Sequence, residues 1–213
     1  MADLYSYKIK KITSQDKENI LLVLQQTFYK DEPLNEYLNR ERGEEIIPKD
    51  RGRTSLGAID EELSFMAVSS STNEIAGICL NEVYSENSAY DNHPNPVKIK
   101  RLVHRLEEES AKLVKLEYEN DKVLYVKQIS IKSEWRNKGI GLELLKHTRE
   151  LAKEKGFSQI RSICTSAYSA KILENLGFKC VHSIKYEDYK IDGKIVFKPE
   201  FPHTHIKLMI LEI

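Results

Sequence analysis

No stretch of this sequence approaches the roughly 18 consecutive apolar residues that a membrane-spanning helix needs. Its first residues, Met1 to Lys11, lack the apolar core and small-residue cleavage site of a secretory signal. Neither sign of charge is in excess. The 33 basic residues are matched by 33 acidic ones, so the overall basic bias of a nucleic-acid binder is missing. Cysteine is scarce: Cys79, Cys164 and Cys180 form an odd set with no CxxC spacing. That argues against a disulfide framework and against a zinc ribbon. Repeats with a period of roughly 20–50 residues and low-complexity tracts are also missing. Together these absences point to a soluble, reduced, cytoplasmic protein. It is expected to be a monomer with no membrane or nucleic-acid partner.

What is present suits one domain over residues 1–213, because 40% of the residues are hydrophobic and can build a sizeable core. Leu4 to Ile12 reads as an edge strand. Ser14 is placed to cap a helix that carries Ile20, Leu21, Leu24 and Phe28 at helical spacing. Asp31-Glu32-Pro33 ends that helix, since the residue before proline avoids helical angles. Pro33 then suits the first turn of another short helix. Residues 41–60 read as loops and short helical pieces, and Asn92 to Pro96 as a loop. Strands are expected over Leu63–Ser70, Glu74–Val83, Val123–Ile131, Phe157–Cys164, Lys179–Tyr189 and His205–Leu211. Helices are expected over Val97–Tyr118, Gly139–Lys155 and Ala167–Leu176, the last two stopped by Gly156 and Gly177. The charged run from Arg101 to Glu119 reads as a solvated helix face with i,i+4 pairs. This order makes a mixed α/β domain.

One segment carries a chemical signal. After the strand ending at Ile131 comes Arg136-Asn137-Lys138-Gly139-Ile140-Gly141, and then an apolar-striped helix. The first amides of a helix have no partners within it, and with the helix dipole they favour an anion. Glycines remove side chains that would hold a phosphate away. A dinucleotide box would need a third small residue where Leu144 stands, and a Walker box is absent. A strand-to-helix turn that merely contains glycines remains an alternative. The strand itself places Leu124 and Val126 in one phase, and Ile129 and Ile131 in the other. A β-bulge would produce that shift, and bulges often sit beside active sites.

A bulged strand, R-x-x-G-x-G opening a helix, a further strand and a short helix ending in Leu176-Gly177-Phe178 resemble the GNAT acetyltransferases, most clearly over residues 120–185. Phe28-Tyr29-Lys30-Asp31-Glu32-Pro33-Leu34-Asn35 is similar to a segment of the insect arylalkylamine N-acetyltransferases. So are Tyr168-Ser169-Ala170, Asp188-Tyr189, Val196-Phe197-Lys198-Pro199 and Pro202-His203. The resemblance implies a twisted, mostly antiparallel sheet of about seven strands with a splayed parallel pair, and acetyl-CoA as donor. It implies that the pyrophosphate rests on Arg136, Asn137, Lys138, Gly139, Ile140 and Gly141. The pantetheine arm would run along Ile129, Ser130 and Ile131, with Ser166 and Ser169 also at the cofactor. Glu32 would be the general base. Thr165 and Ser169 stand where the family has two hydroxyls, one serine here being threonine. Many GNAT enzymes place a tyrosine where this chain has Leu173. Asp31 and His203 would contact the amine.

The chemistry fits those roles. Only a free amine attacks a thioester, so a carboxylate raised by burial can serve as base. A bulge amide near Ile129–Ile131 can hold the developing oxyanion. A thiolate leaves with little acid help. His203 and His205 lie two apart, on one strand face, but no third ligand accompanies them, so no metal is expected. Cys164 reads as a buried cysteine. Three acceptor readings stay open: an arylalkylamine; a polyamine, histamine or other amine, for which Glu41, Glu44 and Glu45 are candidates; or no acceptor at all, in a silent CoA-binding module.

Overall fold

The seven expected strands form one sheet in the computed structural model, which describes residues 6–42, 55–84, 97–111, 113 and 122–213. The strands are β1 (Tyr7–Lys11), β2 (Phe65–Ser69), β3 (Ile75–Val83), β4 (Val123–Ile131), β5 (Gln159–Cys164), β6 (Lys179–Lys185) and β9 (His205–Glu212). Their order across the sheet is β1-β2-β3-β4-β5-β9-β6. Only β4 and β5 run parallel; every other neighbour is antiparallel. A small hairpin, β7 (Lys190–Ile191) and β8 (Lys194–Ile195), stands apart. The expected mixed α/β sheet with one parallel pair is present.

The helices are α1 (Lys17–Gln26), α2 (Phe28–Asp31), α3 (Pro33–Arg42), α4 (Val97–Ala111), α5 (Ile140–Glu154) and α6 (Ala167–Asn175). The first helical segment is capped one residue earlier than Ser14. Thr13 donates from both its amide and its hydroxyl to the Asp16 carboxylate, each at 2.8 Å. Phe28 does not continue α1, because Thr27 leaves helical angles, with φ of -127° and ψ of -77°, and ends the helix. The C-terminal end expected for α4 lies outside the described residues, as do Leu4 and the Asn92–Pro96 loop.

Strand alternation divides the core. Phe65, Ala67, Leu124, Val126 and Met209 pack with α5 and α6 on one face. Met66, Val68, Ile78 and Leu80 face α1 on the other. On that second face Ile206, Leu208 and Ile210 of β9 meet α3 and α4. All five residues of β2 are buried. The charge run behaves as expected on α4, where Arg105 pairs with Glu109 at 2.8 Å and His104 with Glu108 at 3.3 Å. No helix among the described residues is long and apolar enough to cross a membrane.

Candidate active site

β4 and β5 pair over only three residues, Val123–Tyr125 with Gln159–Arg161. Both strands continue without pairing to each other, to Ile131 and Cys164. At the vertex of this opening the Ser162 hydroxyl donates to the Val126 carbonyl at 3.1 Å. A cavity of about 830 Å³ occupies the opening and reaches both faces of the sheet. The expected bulge is there. Opposite β3, Leu80 pairs with Gln128 and Asn81 with Val126, leaving Lys127 as the extra residue. Ile129 and Ile131 thereby return to the same core face as Leu124 and Val126.

The glycine box meets this cavity at the start of α5. Asn137 and Gly139 both take left-handed angles, with φ of 60° and 77°. Gly139 is the N-cap of α5, and a Cβ there would meet nothing within 4 Å. Gly141 has another reason to be glycine. It lies in the first turn of α5, and a Cβ there would approach Ile172 Cδ1 to 3.2 Å and Ile129 Cδ1 to 3.7 Å. The box is therefore a capped turn with open space at Gly139 and close helix contact at Gly141. Amides at such a helix start suit an anion. Arg136 donates from Nε to the Ile131 carbonyl at 3.1 Å, and from Nη2 to the Asp31 carboxylate. This ion pair ties the box to the Asp31-Glu32-Pro33 segment.

Glu32 lines the cavity and is only 7% exposed. Its carboxylate accepts from the Leu34 amide at 3.1 Å and the Asn35 amide at 2.8 Å, so it caps α3. Pro33, with no amide to satisfy, fits the first position of that helix. At the far wall Ser166 caps α6 by accepting from the Tyr168 amide at 3.2 Å. The Ser169 hydroxyl donates to the Ser166 carbonyl at 2.9 Å. The Thr165 carbonyl accepts from the buried Tyr186 hydroxyl at 2.7 Å. His203 Nδ1 accepts from the Ala167 amide at 3.1 Å, and the Tyr168 ring stands edge-on to the imidazole at 5.1 Å. Burial lowers the His203 pKa, which favours the neutral imidazole this contact needs. His203 does not share a strand face with His205, because β9 begins at His205. Burial pushes the Cys164 thiol up to about 11, which removes it as a thiolate at neutral pH.

Of the expected site residues, Asp31, Glu32, Ile129, Ser130, Ile131, Arg136, Asn137, Gly139, Ile140, Gly141, Thr165, Ser166, Ser169 and His203 all line this one cavity. Lys138 does not; its ammonium donates to the Glu134 carbonyl at 2.7 Å. Glu41 is exposed and away from the cavity, and Glu44 and Glu45 lie outside the described residues. Sequence reasoning missed Thr27, Lys127 and Gln128. Thr27 accepts from the Ser130 hydroxyl at 2.7 Å. Lys127 pairs with Glu82 at 2.7 Å, with both side chains about 5–6% exposed. The phase shift in β4 was the one signal that could have pointed to Lys127 and Gln128.

Comparison with known proteins identifies the fold and the family. The model of the acetyltransferase (GNAT) family matches residues 34–178, well over half of the chain. That match contains the box and the Thr165–Ser169 segment and stops short of Glu32 and His203. Among solved structures, arylalkylamine N-acetyltransferase 2 from Aedes aegypti is 27% identical with a TM-score of 0.85, over 98% of this chain and 99% of that one. A mosquito arylalkylamine N-acetyltransferase like 5b is 21% identical, with a TM-score of 0.82 over 98% and 100% of the two chains. A Drosophila melanogaster polyamine N-acetyltransferase that forms N-acetylagmatine is 17% identical, with a TM-score of 0.79 over 98% and 100%. A glycine-capped helix start facing a parted strand pair, inside a family match of this extent, leads to one conclusion: the chain belongs to the GNAT acetyltransferase family.

Proposed function

We propose that this protein transfers the acetyl group of acetyl-CoA to the primary amine of a small arylalkylamine, in a single step within a ternary complex. One observation carries this reading: a single cavity joins the box at the start of α5 to the buried Glu32 carboxylate through the parted β4–β5 pair. The likeness to the Aedes aegypti arylalkylamine enzyme supports the choice of acceptor.

In this reading the donor pyrophosphate lies on the amides from Arg136 to Gly141, assisted by the Arg136 guanidinium. The pantetheine arm adds along Ile129–Ile131, as a peptide adds to a sheet edge. The amine enters on the Glu32 side, near Asp31 and His203. Its ammonium gives up one proton to Glu32, directly or through water. The free nitrogen then bonds to the thioester carbon, and the oxyanion is held by an amide at the bulge. Collapse breaks the C–S bond. Thr165 and Ser169 supply hydroxyls beside the leaving sulfur, and the nitrogen loses its second proton. The balance is one amide, one CoA thiol and one proton released per ammonium consumed.

The test is thiol release from acetyl-CoA across tyramine, phenethylamine, histamine, putrescine and agmatine. Arylalkylamines should give the highest kcat/KM. Preference for agmatine or putrescine would replace the acceptor class. Calorimetric CoA binding without turnover of any amine would reduce the protein to a binding module.

A further inference from the structure

Gln128 is 2% exposed and lines the cavity. Neither its Oε1 nor its Nε2 has a hydrogen-bond partner among the described residues. A buried side-chain amide with both ends unmatched is rare and unfavourable, so each instance calls for a cause. Its position suggests one. Residues two apart on a strand share a face, so Gln128 lies on the side of Ser130, whose hydroxyl meets Thr27. Its partner on β3 is Leu80, which packs in the α1-side core. Gln128 thus faces the Glu32 half of the cavity, while Ile129 and Ile131 face the α5 half.

The chemistry of the wall narrows what could match this amide. A glutamine amide offers an accepting oxygen and a donating nitrogen side by side. A hydroxyl satisfies both, donating to Oε1 and accepting from Nε2. An ammonium or guanidinium only donates and would leave Nε2 unmatched. It would also approach Lys127, a cationic residue that lines the same cavity beside Gln128. The Lys127 ammonium pairs with Glu82 Oε2 at 2.7 Å, and Glu82 does not itself line the cavity, so the pair presents no carboxylate there to a second cation.

We propose that Gln128 is a specificity-determining residue that reads a ring hydroxyl at the far end of the acceptor amine and disfavours acceptors with a second cationic end. The proposal rests on the arylalkylamine reading given above and deepens it. Tyramine and phenethylamine differ only in that hydroxyl, so their ratio of kcat/KM is the readout. The parent enzyme should favour tyramine roughly tenfold or more, because a site built to bind a hydroxyl rejects the analogue without it. In Gln128→Met the ratio should fall towards one, while the acetyl-CoA dissociation constant measured by calorimetry stays the same. Gln128→Glu, which cannot donate when ionised, should move preference towards agmatine.

A parent ratio near one overturns the proposal without any variant, so it stays testable if a variant fails to fold. A ratio that survives in Gln128→Met overturns it too. Equal losses for all amines with weaker acetyl-CoA binding would make Gln128 a donor-side contact and also overturn it. If the parent turns over other amines but no arylalkylamine, the acceptor reading fails first and Gln128's role falls with it.

Discussion

Glu32 has two tasks that different substitutions separate. Its carboxylate caps α3 through Leu34 and Asn35, and in the proposed reaction it accepts the amine proton. Glu32→Gln keeps an oxygen for the cap, whereas Glu32→Ala keeps none. Both should lower kcat/KM by about 10²–10⁴-fold. Only Glu32→Ala should also lose about 1 kcal/mol of stability, seen by thermal denaturation. An unchanged rate and pH profile in Glu32→Ala would end its assignment as base. The glycines separate as well. Gly139→Ala puts a side chain at φ 77° and should cost about 1–2 kcal/mol by denaturant unfolding. Gly141→Ala gains helix propensity of about 1 kcal/mol against a 3.2 Å approach to the mobile end of Ile172, so it should be close to neutral. The sequence made both glycines visible but not their separate reasons. Only the backbone angle at one and the neighbours of the other distinguish them. Gln128 was illegible for a similar reason: a polar residue in a strand looks like a solvent-facing one until its surroundings are known.

At the element level, Tyr189 and Phe197 of the C-terminal motif segments join the core that α3, α4 and β9 share. Phe197 is fully buried, stacks on Tyr189 at 6.0 Å, and meets Tyr37 and Tyr186 edge-on at 6.2 and 6.4 Å. This cluster holds α3, and thus Glu32, against the turn at Tyr186–Asp188. Phe197→Ala should cost about 3–5 kcal/mol of unfolding free energy and lower the catalytic rate further by loosening α3. Thermal melts at matched activity measurements check both. Alternation and helical spacing made most elements legible to within a few residues. The strand expected to reach Tyr189 stops at Lys185 instead, because Tyr186 turns inward and its hydroxyl bonds Thr165. The β7–β8 hairpin went unread although Asp192-Gly193 is a common hairpin turn. Two-residue strands have too little alternation to register.

The balanced charge count of the whole molecule conceals one half-buried carboxyl. Glu107 on α4 has an unpartnered Oε1 among the described residues, and burial raises its pKa to about 7 against the pull of Arg161. A raised carboxylate pKa means the folded state holds the proton more tightly than the unfolded chain. The stability this group contributes is full below about pH 4.5 and is lost as pH rises through 7. Glu107→Gln should therefore be more stable than the parent at pH 8, on the order of 1–3 kcal/mol. The gap should close near pH 5 in chemical denaturation series. Composition sums charges without placing them, so this could not be read from the sequence.

The parted strands carry one more consequence. Past Tyr125, β4 has a sheet edge in the middle of the molecule where β5 no longer pairs with it. Under the proposed function, the donor's own amides close that edge when it binds. The protein would then be a fold whose last strand is a metabolite, and its melting temperature would report the concentration of that metabolite. At a donor level a hundredfold above its dissociation constant, linkage adds about 2.7 kcal/mol. Amide exchange at Ile129–Ile131 should slow in step. Cells short of acetyl-CoA would then hold a less durable enzyme as well as a slower one.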